Sequence, residues 1–486
     1  MKPLSGLCLL ALSVSTLSLS ACQAAETPSA QTQQLAEKPA QHSAQKAKNV
    51  ILFIGDGMGI STITAARIFD GQSKGMSGED NKLSFEEFPN LSLVKTYNLD
   101  SQVPDSAGTA SAMNTGMKTQ IGKINVQPDG LLAMCADNTA TAPVLMADLA
   151  ERAGMSTGIV STARLTHATP AAVYGHVASR GWETDADMNK IGKDNGCIDL
   201  ATQLVNYGGT DGLEIALGGG RRGFLPKTTT GGRREDGKDL TSLWAAKSEA
   251  HVYTQTAEGL RALNAKDKQS VLGLFTKSHL AFEVDRDNAI EPSLTELTTF
   301  AIENLEARGT GYFLMVEAGR IDHAHHATNA YRALSDTQEL SRAVAAADAM
   351  TNDEDTLILV TADHSHVFTM AGYPAIGNPI LGLVRSIDRE TMKPSPDPAL
   401  ARDGKPYTTL GYHNGPNTRT EDDDLSDSVV QGKDYRQQTA VEMGSETHGG
   451  EDVALFAKGP GADKVHGVID QAEIFDIMTA AVGLEK

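Results

Sequence analysis

Four strand-like runs each lead into residues that can bind metal or carry charge, and this pattern constrains the fold more than any other. Asn49–Ile54 (NVILFI) stops at Gly55-Asp56-Gly57-Met58-Gly59, and Ser156–Ser161 leads to His167 and Thr169. Tyr312–Val316 ends at Glu317, and Thr356–Thr361 (TLILVT) ends at Asp363-His364. Runs this short and this apolar read as strands buried on both faces, the habit of parallel sheets. Helical patterns separate them at Ser61–Phe69, Val144–Ala153, Leu294–Ala307 and Asn329–Met350. Alternating strands and helices predict an α/β domain. In parallel α/β sheets ligands bind at the carboxyl ends of strands, so this order gathers the terminal Asp, Glu, His and Thr residues along one edge.

The densest of these ends is Glu317-Ala-Gly-Arg-Ile-Asp322-His323-Ala-His325-His326. A helix starting after Gly319 puts Asp322 and His326 four residues apart on one face, where a carboxylate and an imidazole can share a zinc ion. Asp/Glu/His sets with few thiols suit zinc through imidazole nitrogen and magnesium through oxygen. The three glycines around Asp56 permit a sharp turn, but G-D-G-M-G is not the dinucleotide pattern G-x-G-x-x-G, and Asp56 would repel a pyrophosphate unless a metal intervened. A further strand, Leu91–Tyr97, precedes Pro104-Asp105-Ser106-Ala107-Gly108-Thr109. Ser106 there is either a helix N-cap, a role Asp105 also fits, or a nucleophile bathed in the positive end of the helix dipole. Arg180, alone in a polar turn, is either a surface residue or a clamp for an oxyanion.

The chain has 486 residues and a formal net charge of −20, which argues against nucleic acid as a partner. An anionic substrate would need local cations to draw it in. Residues 1–21 read as a secretory signal, with an apolar run too short for a comfortable membrane span. It ends in Leu19-Ser20-Ala21-Cys22, which resembles a bacterial lipobox with Cys22 as the lipidated residue; an ordinary cleaved signal is the alternative. Residues 22–48, rich in Ala, Gln, Ser, Lys and Pro, form a flexible tether. Membrane contact is then expected only through the lipidated N-terminus of an exported, periplasmic or cell-surface protein. Cys135 and Cys197 are the cysteines of the exported core, which suggests a disulfide without fixing the pairing. Residues 372–438 shift to Gly, Pro, Asn and acidic residues and read as an insertion.

Five pieces occur in one order: Asp56-Gly57-Met58-Gly59, Pro104 to Thr109, Glu317 to His326, Thr361-Ala362-Asp363-His364-Ser365-His366, and Thr447-His448-Gly449-Gly450-Glu451-Asp452. In these the sequence, from about Asn49 to its end, resembles the alkaline phosphatases. The resemblance implies a central mixed, largely parallel sheet sandwiched between helices, with 372–438 as a crown-like insertion on a domain spanning 49–486. It also implies a homodimer acting on small phosphate monoesters. One zinc would be held by Asp322, His326 and His448, and a second by Asp56, Asp363 and His364. Magnesium would be held by Asp56, Thr169 and Glu317, with His167 nearby. Ser106 would be the nucleophile that is transiently phosphorylated, and Arg180 would grip the phosphate.

His167 and His323 stand where enterobacterial members carry Asp and Lys, and Cys135 and Cys197 match a disulfide of the animal enzymes. The resemblance is therefore nearer to the animal branch. Thr276 follows Phe275 where animal members carry a calcium-binding Glu, so calcium is not expected. Ser106-Ala107-Gly108-Thr109 lacks the C/S-x-P-x-R context of a sulfatase. Two other readings are a phosphodiesterase on the same metal architecture and a surface metal- or phosphate-binding lipoprotein without turnover.

Overall fold

The computed structural model describes residues 46–127, 142–208, 212–420 and 424–485. The signal, most of the tether, Cys22 and Cys135 lie outside the described residues. The first eight strands are β1 (Asn49–Gly55), β2 (Asn90–Lys95), β3 (Ser156–Arg164), β4 (Ile215–Gly219), β5 (His251–Thr254), β6 (Ser270–Leu274), β7 (Tyr312–Ala318) and β8 (Thr356–Ala362). Short strands follow: β9 (Ser365–His366), β10 (Phe368–Met370), β11 (Leu410–Gly415), β12 (Thr439–Glu442) and β13 (His448–Gly449). The chain then adds β14 (Val453–Lys458) and β15 (His466–Asp470).

Among the described residues the main sheet has ten strands in the order β15-β2-β14-β8-β1-β7-β3-β4-β6-β5. Only β14 runs against its neighbours, β8 and β2, so the sheet is mixed and largely parallel as expected. The four strands singled out by sequence, β8, β1, β7 and β3, are contiguous at its centre. Every residue of β1, β7 and β8 is buried, which explains their unbroken apolar character. Register aligns their ends: Gly55 pairs with both Ala318 and Ala362. Asp56 and Asp363 therefore leave the sheet at one level, and Glu317, paired with Ile54, lies one step before the end of β7.

Helices close both faces. The long helix Ala330–Met350 is capped by Asn329, whose side chain accepts from the Arg332 amide, and Leu294–Arg308 starts with a Ser293/Glu296 capping box. The helix predicted over Ser61–Phe69 runs on as Ile60–Ser73. The strand predicted over Leu91–Tyr97 is Asn90–Lys95, with Leu91 and Leu93 exposed. It lies near the sheet edge, so only one of its faces meets the core. Within 372–438, β11 pairs with β10 and β12, which flank that stretch, to form a separate three-stranded sheet. β9 pairs with β13 at the neck of the insertion, placing His366 opposite His448.

Candidate active site

The helix Ser106–Thr115 is buried along its whole length, and Asp105 is its N-cap, accepting from the Gly108 amide at 3.1 Å. Ser106 is thus the first helical residue, with its hydroxyl at the positive end of the dipole. Its Oγ lies 3.1 Å from His364 Nε2. The same nitrogen is 3.4 Å from Asp56 Oδ1 and 3.3 Å from Asp363 Oδ2. The turn after β1 makes this convergence possible. Gly57 has φ +71°, and a Cβ there would lie 2.3 Å from the His366 ring. Its amide donates to Asp363 Oδ1 at 3.0 Å.

Arg180 completes the Ser106 side. Nη1 donates to Asp105 Oδ2 at 3.0 Å and Nη2 lies 3.2 Å from His167 Nε2. Asp105 is itself held by the Asn98 amide at 2.9 Å and the Gly122 N–H at 3.0 Å. The guanidinium is fixed at one end while its side chain stays 28% exposed, enough to meet a ligand arriving from solvent.

A second group centres on Asp322 Oδ1, which lies 3.2 Å from His326 Nε2 and 3.4 Å from His448 Nε2. The two imidazole nitrogens are 3.2 Å apart. His326 Nδ1 contacts the Glu446 carbonyl at 2.7 Å and His448 Nδ1 the Pro104 carbonyl at 2.8 Å. A carbonyl only accepts, so both Nδ1 atoms donate, and each Nε2 faces Asp322, able to give it a proton or, once deprotonated, to offer a lone pair to a cation. Burial alone would raise the Asp322 pKa, but His326, His366 and His448 hold it well below the usual carboxylate range.

The third group is built from oxygen. Both Asp56 carboxylate oxygens, Glu317 Oε1, Thr169 Oγ1 and His167 Nδ1 are buried without a hydrogen-bond partner. Burial, together with Asp363, Asp322 and Glu317, pushes Asp56 well above the usual carboxylate range. Burial pushes Glu317 up to about 7, although Ser161 donates to it. Burial likewise holds His167 and His364 well below the ordinary imidazole value, so both present neutral rings. Buried, unpartnered carboxylate and hydroxyl oxygens of this kind are rare in native proteins and fit a bound divalent cation. Groups spaced closely enough to share a metal ion fall along this edge: Asp322 with His364, His366 and His448; His326 with His366 and Glu446; Asp56 with Asp363 and His364; Asp56 with His167 and Glu317.

Sequence reasoning missed three residues here. His366 spends both ring nitrogens on carboxylates, 2.9 Å to Asp322 and 2.6 Å to Glu446. Glu446 is buried two positions before His448. The His279 ring is tilted against that of His323, centroids 4.0 Å apart, and His323 in turn faces His167 at 5.4 Å. The D-H-S-H and E-T-H strings were visible, but nothing in them revealed that His366 and Glu446 meet. Cys197 is disulfide-bonded.

Comparison with known proteins places this geometry. The family model described as alkaline phosphatase matches residues 47–484. The tissue-nonspecific isozyme of alkaline phosphatase from Gallus gallus is 42% identical over 456 residues, covering 90% of this chain and 84% of the relative. The corresponding Homo sapiens isozyme is 40% identical over 454 residues, covering 90% and 83%. Among solved structures, the alkaline phosphatase of Thermus thermophilus superposes with a TM-score of 0.65 at 25% identity, covering 93% of this chain and 96% of that one. The enzyme from the Antarctic bacterium TAB5, at 23% identity, shares the fold with a TM-score of 0.61, covering 91% of this chain and all of that one.

Proposed function

The chain belongs to the alkaline phosphatase family, and from that premise we propose that it hydrolyses phosphate monoesters of broad range through a phosphoserine at Ser106, with two zinc ions and one magnesium ion. The observation that carries the reading is the position of Ser106 Oγ. It stands at a buried helix N-terminus, 3.1 Å from His364 Nε2 and next in the chain to Asp105, which holds Arg180.

Asp322, His326 and His448 would hold one zinc, Asp56, Asp363 and His364 the other, and Asp56, Thr169 and Glu317 the magnesium. Cations bound there supply Lewis acidity, lowering the pKa of a hydroxyl and neutralising charge on phosphoryl and leaving-group oxygens. Ser106 Oγ attacks phosphorus in line; the Oγ–P bond forms as the bond to the substrate's ester oxygen breaks, and the alcohol departs. Arg180, braced by Asp105, grips two equatorial oxygens, and the amides of the first helical turn add positive potential on the same side. Water then cleaves the Oγ–P bond, returns the proton to Ser106 and releases inorganic phosphate. No step in this scheme needs the alcohol to be recognised, which favours a wide substrate range.

A homodimer with residues 372–438 as its crown, export with lipidation at Cys22, and a Cys135–Cys197 bridge complete the proposal. No helix among the described residues is long and apolar enough to cross a membrane. The deciding assay compares p-nitrophenyl phosphate with bis(p-nitrophenyl) phosphate, with and without added zinc and magnesium. Metal-dependent turnover that favours the monoester supports the reading; preference for the diester contradicts it.

A further inference from the structure

Glu446 closes the insertion onto the metal-compatible edge, and its contacts form a pattern that none of the proposed ligands shares. Its side chain is 1% exposed. Oε2 lies 2.6 Å from His366 Nδ1, and His366 Nε2 lies 2.9 Å from Asp322 Oδ1. Oε1 accepts from the Val367 amide at 2.8 Å. The backbone of the same residue engages His326 twice: the Glu446 carbonyl accepts from His326 Nδ1 at 2.7 Å, and the Glu446 amide donates to the His326 carbonyl at 3.1 Å. One residue therefore fixes the tautomer of one imidazole and, through a second imidazole, the rotamer of a carboxylate.

The contacts also separate His366 from the neighbours it resembles. His326 and His448 anchor Nδ1 on a carbonyl and leave Nε2 facing the cluster. His366 has a carboxylate on each nitrogen and no lone pair left for a cation. It transmits position, and Glu446 is the fixed end of the relay. Partners of this kind commonly tune metal affinity about 10–100-fold without touching the ion.

We propose that Glu446 is a positioning residue that sets the zinc affinity of the Asp322–His326–His448 cluster through two paths, its carbonyl to His326 and its carboxylate through His366 to Asp322. This rests on the reading of those three residues as zinc ligands.

The test uses the purified holoenzyme and zinc alone as the probe. Zinc affinity is measured by competition with a colorimetric chelator, and the visible spectrum of the cobalt-substituted enzyme reports ligand geometry. Glu446→Gln keeps the carbonyl path and breaks the carboxylate path. It is expected to weaken one zinc equivalent about 10–100-fold and shift the cobalt bands. Its turnover should fall at limiting zinc and recover in excess zinc, with KM little changed. His366→Asn should do the same, and the double variant should be no weaker than the worse single one, because both lie on one path. If Glu446→Gln fails to fold, His366→Asn carries the test. Wild-type zinc affinity and cobalt spectrum in both variants, or additive losses in the double variant, would overturn the proposal. A drop in Tm with an unchanged cobalt spectrum would reduce Glu446 to a structural role and overturn it too. Asp322→Ala separates the layers: if it loses the same zinc equivalent while Glu446→Gln does not, only the relay fails. If Asp322→Ala keeps every equivalent, the ligand reading falls and the relay with it.

Discussion

Two clusters on the same sheet edge are built on opposite principles. Around Asp322, the imidazoles of His326 and His448 are anchored on carbonyls and the carboxylate is held low by three histidines. That cluster carries much of its own compensation. Around Asp56 and Glu317, the carboxylates are raised and several oxygens have no partner at all. Leaving a charge buried and uncompensated costs several kcal/mol. The first cluster can keep its shape without a cation, whereas the second has its charge balanced only by one. A site of this kind stores destabilisation where the sheet is most rigid and releases it when metal binds.

The largest expected effect lies where the clusters meet. Ser106→Ala should lower monoester kcat by roughly 10⁴–10⁶-fold, the scale of removing a nucleophile from a unit of cooperating groups. Zinc content should stay at the wild-type value; a variant with near-wild-type turnover would show that Ser106 is not the nucleophile.

Next in size is a difference of sign. Asp56→Asn replaces a buried, unpartnered carboxylate by a neutral isostere, so the metal-free protein should gain Tm even as activity falls by orders of magnitude. Asp322→Asn removes a carboxylate that three imidazoles hold, so the metal-free protein should lose Tm. Calorimetry of the two metal-free variants reads both signs, and equal signs would erase the distinction between the clusters.

The pH dependence of the metal-free protein is a smaller effect. The folded-state pKa of Glu317, about 7, lies above the ordinary glutamate value near ~4.3. Its contribution to stability is therefore full below that ordinary value and is lost as pH rises through 7. Asp56, also raised, acts in the same direction. Tm of the metal-free protein should fall between pH 5 and pH 8, and Glu317→Gln should flatten the fall. Added magnesium should remove it. A Tm that rises over this range would reverse the assignment.

The smallest expected effect concerns the imidazoles beside the oxygen cluster. His323 is pushed down to about 4 chiefly by burial, and His167 is also neutral. His323→Lys would put a fixed positive charge near bound phosphate and should tighten phosphate inhibition roughly three- to tenfold. The double change with His167→Asp should also strengthen magnesium binding and lower kcat. Phosphate inhibition constants that do not tighten in either variant would show that charge at these positions does not govern release.

The sequence made the oxygen-rich half of the edge legible because its residues sit directly at strand ends. Asp56, Glu317, Asp363 and His364 follow unbroken apolar runs, and the register of β1 with β7 and β8 then brings them to one edge. The family resemblance, not spacing, tied His448 to Asp322, since they are far apart in the chain. Glu446 and His366 stayed hidden for the same physical reason: their bond spans the insertion, and no local pattern encodes it. The small three-stranded sheet left no clear period because β11, LGYHNG, mixes glycine and polar residues and buries only Leu410, Tyr412 and Gly415.

The central claim is that this edge gathers three cation sites of two kinds. Anomalous diffraction from crystals of the holoenzyme, recorded at the zinc edge, tests it most directly. The account predicts zinc peaks within the Asp322–His326–His448 and Asp56–Asp363–His364 groups, and a lighter ion without a zinc signal among Asp56, Thr169 and Glu317. Zinc peaks lying elsewhere, or none in a catalytically active crystal, would contradict it.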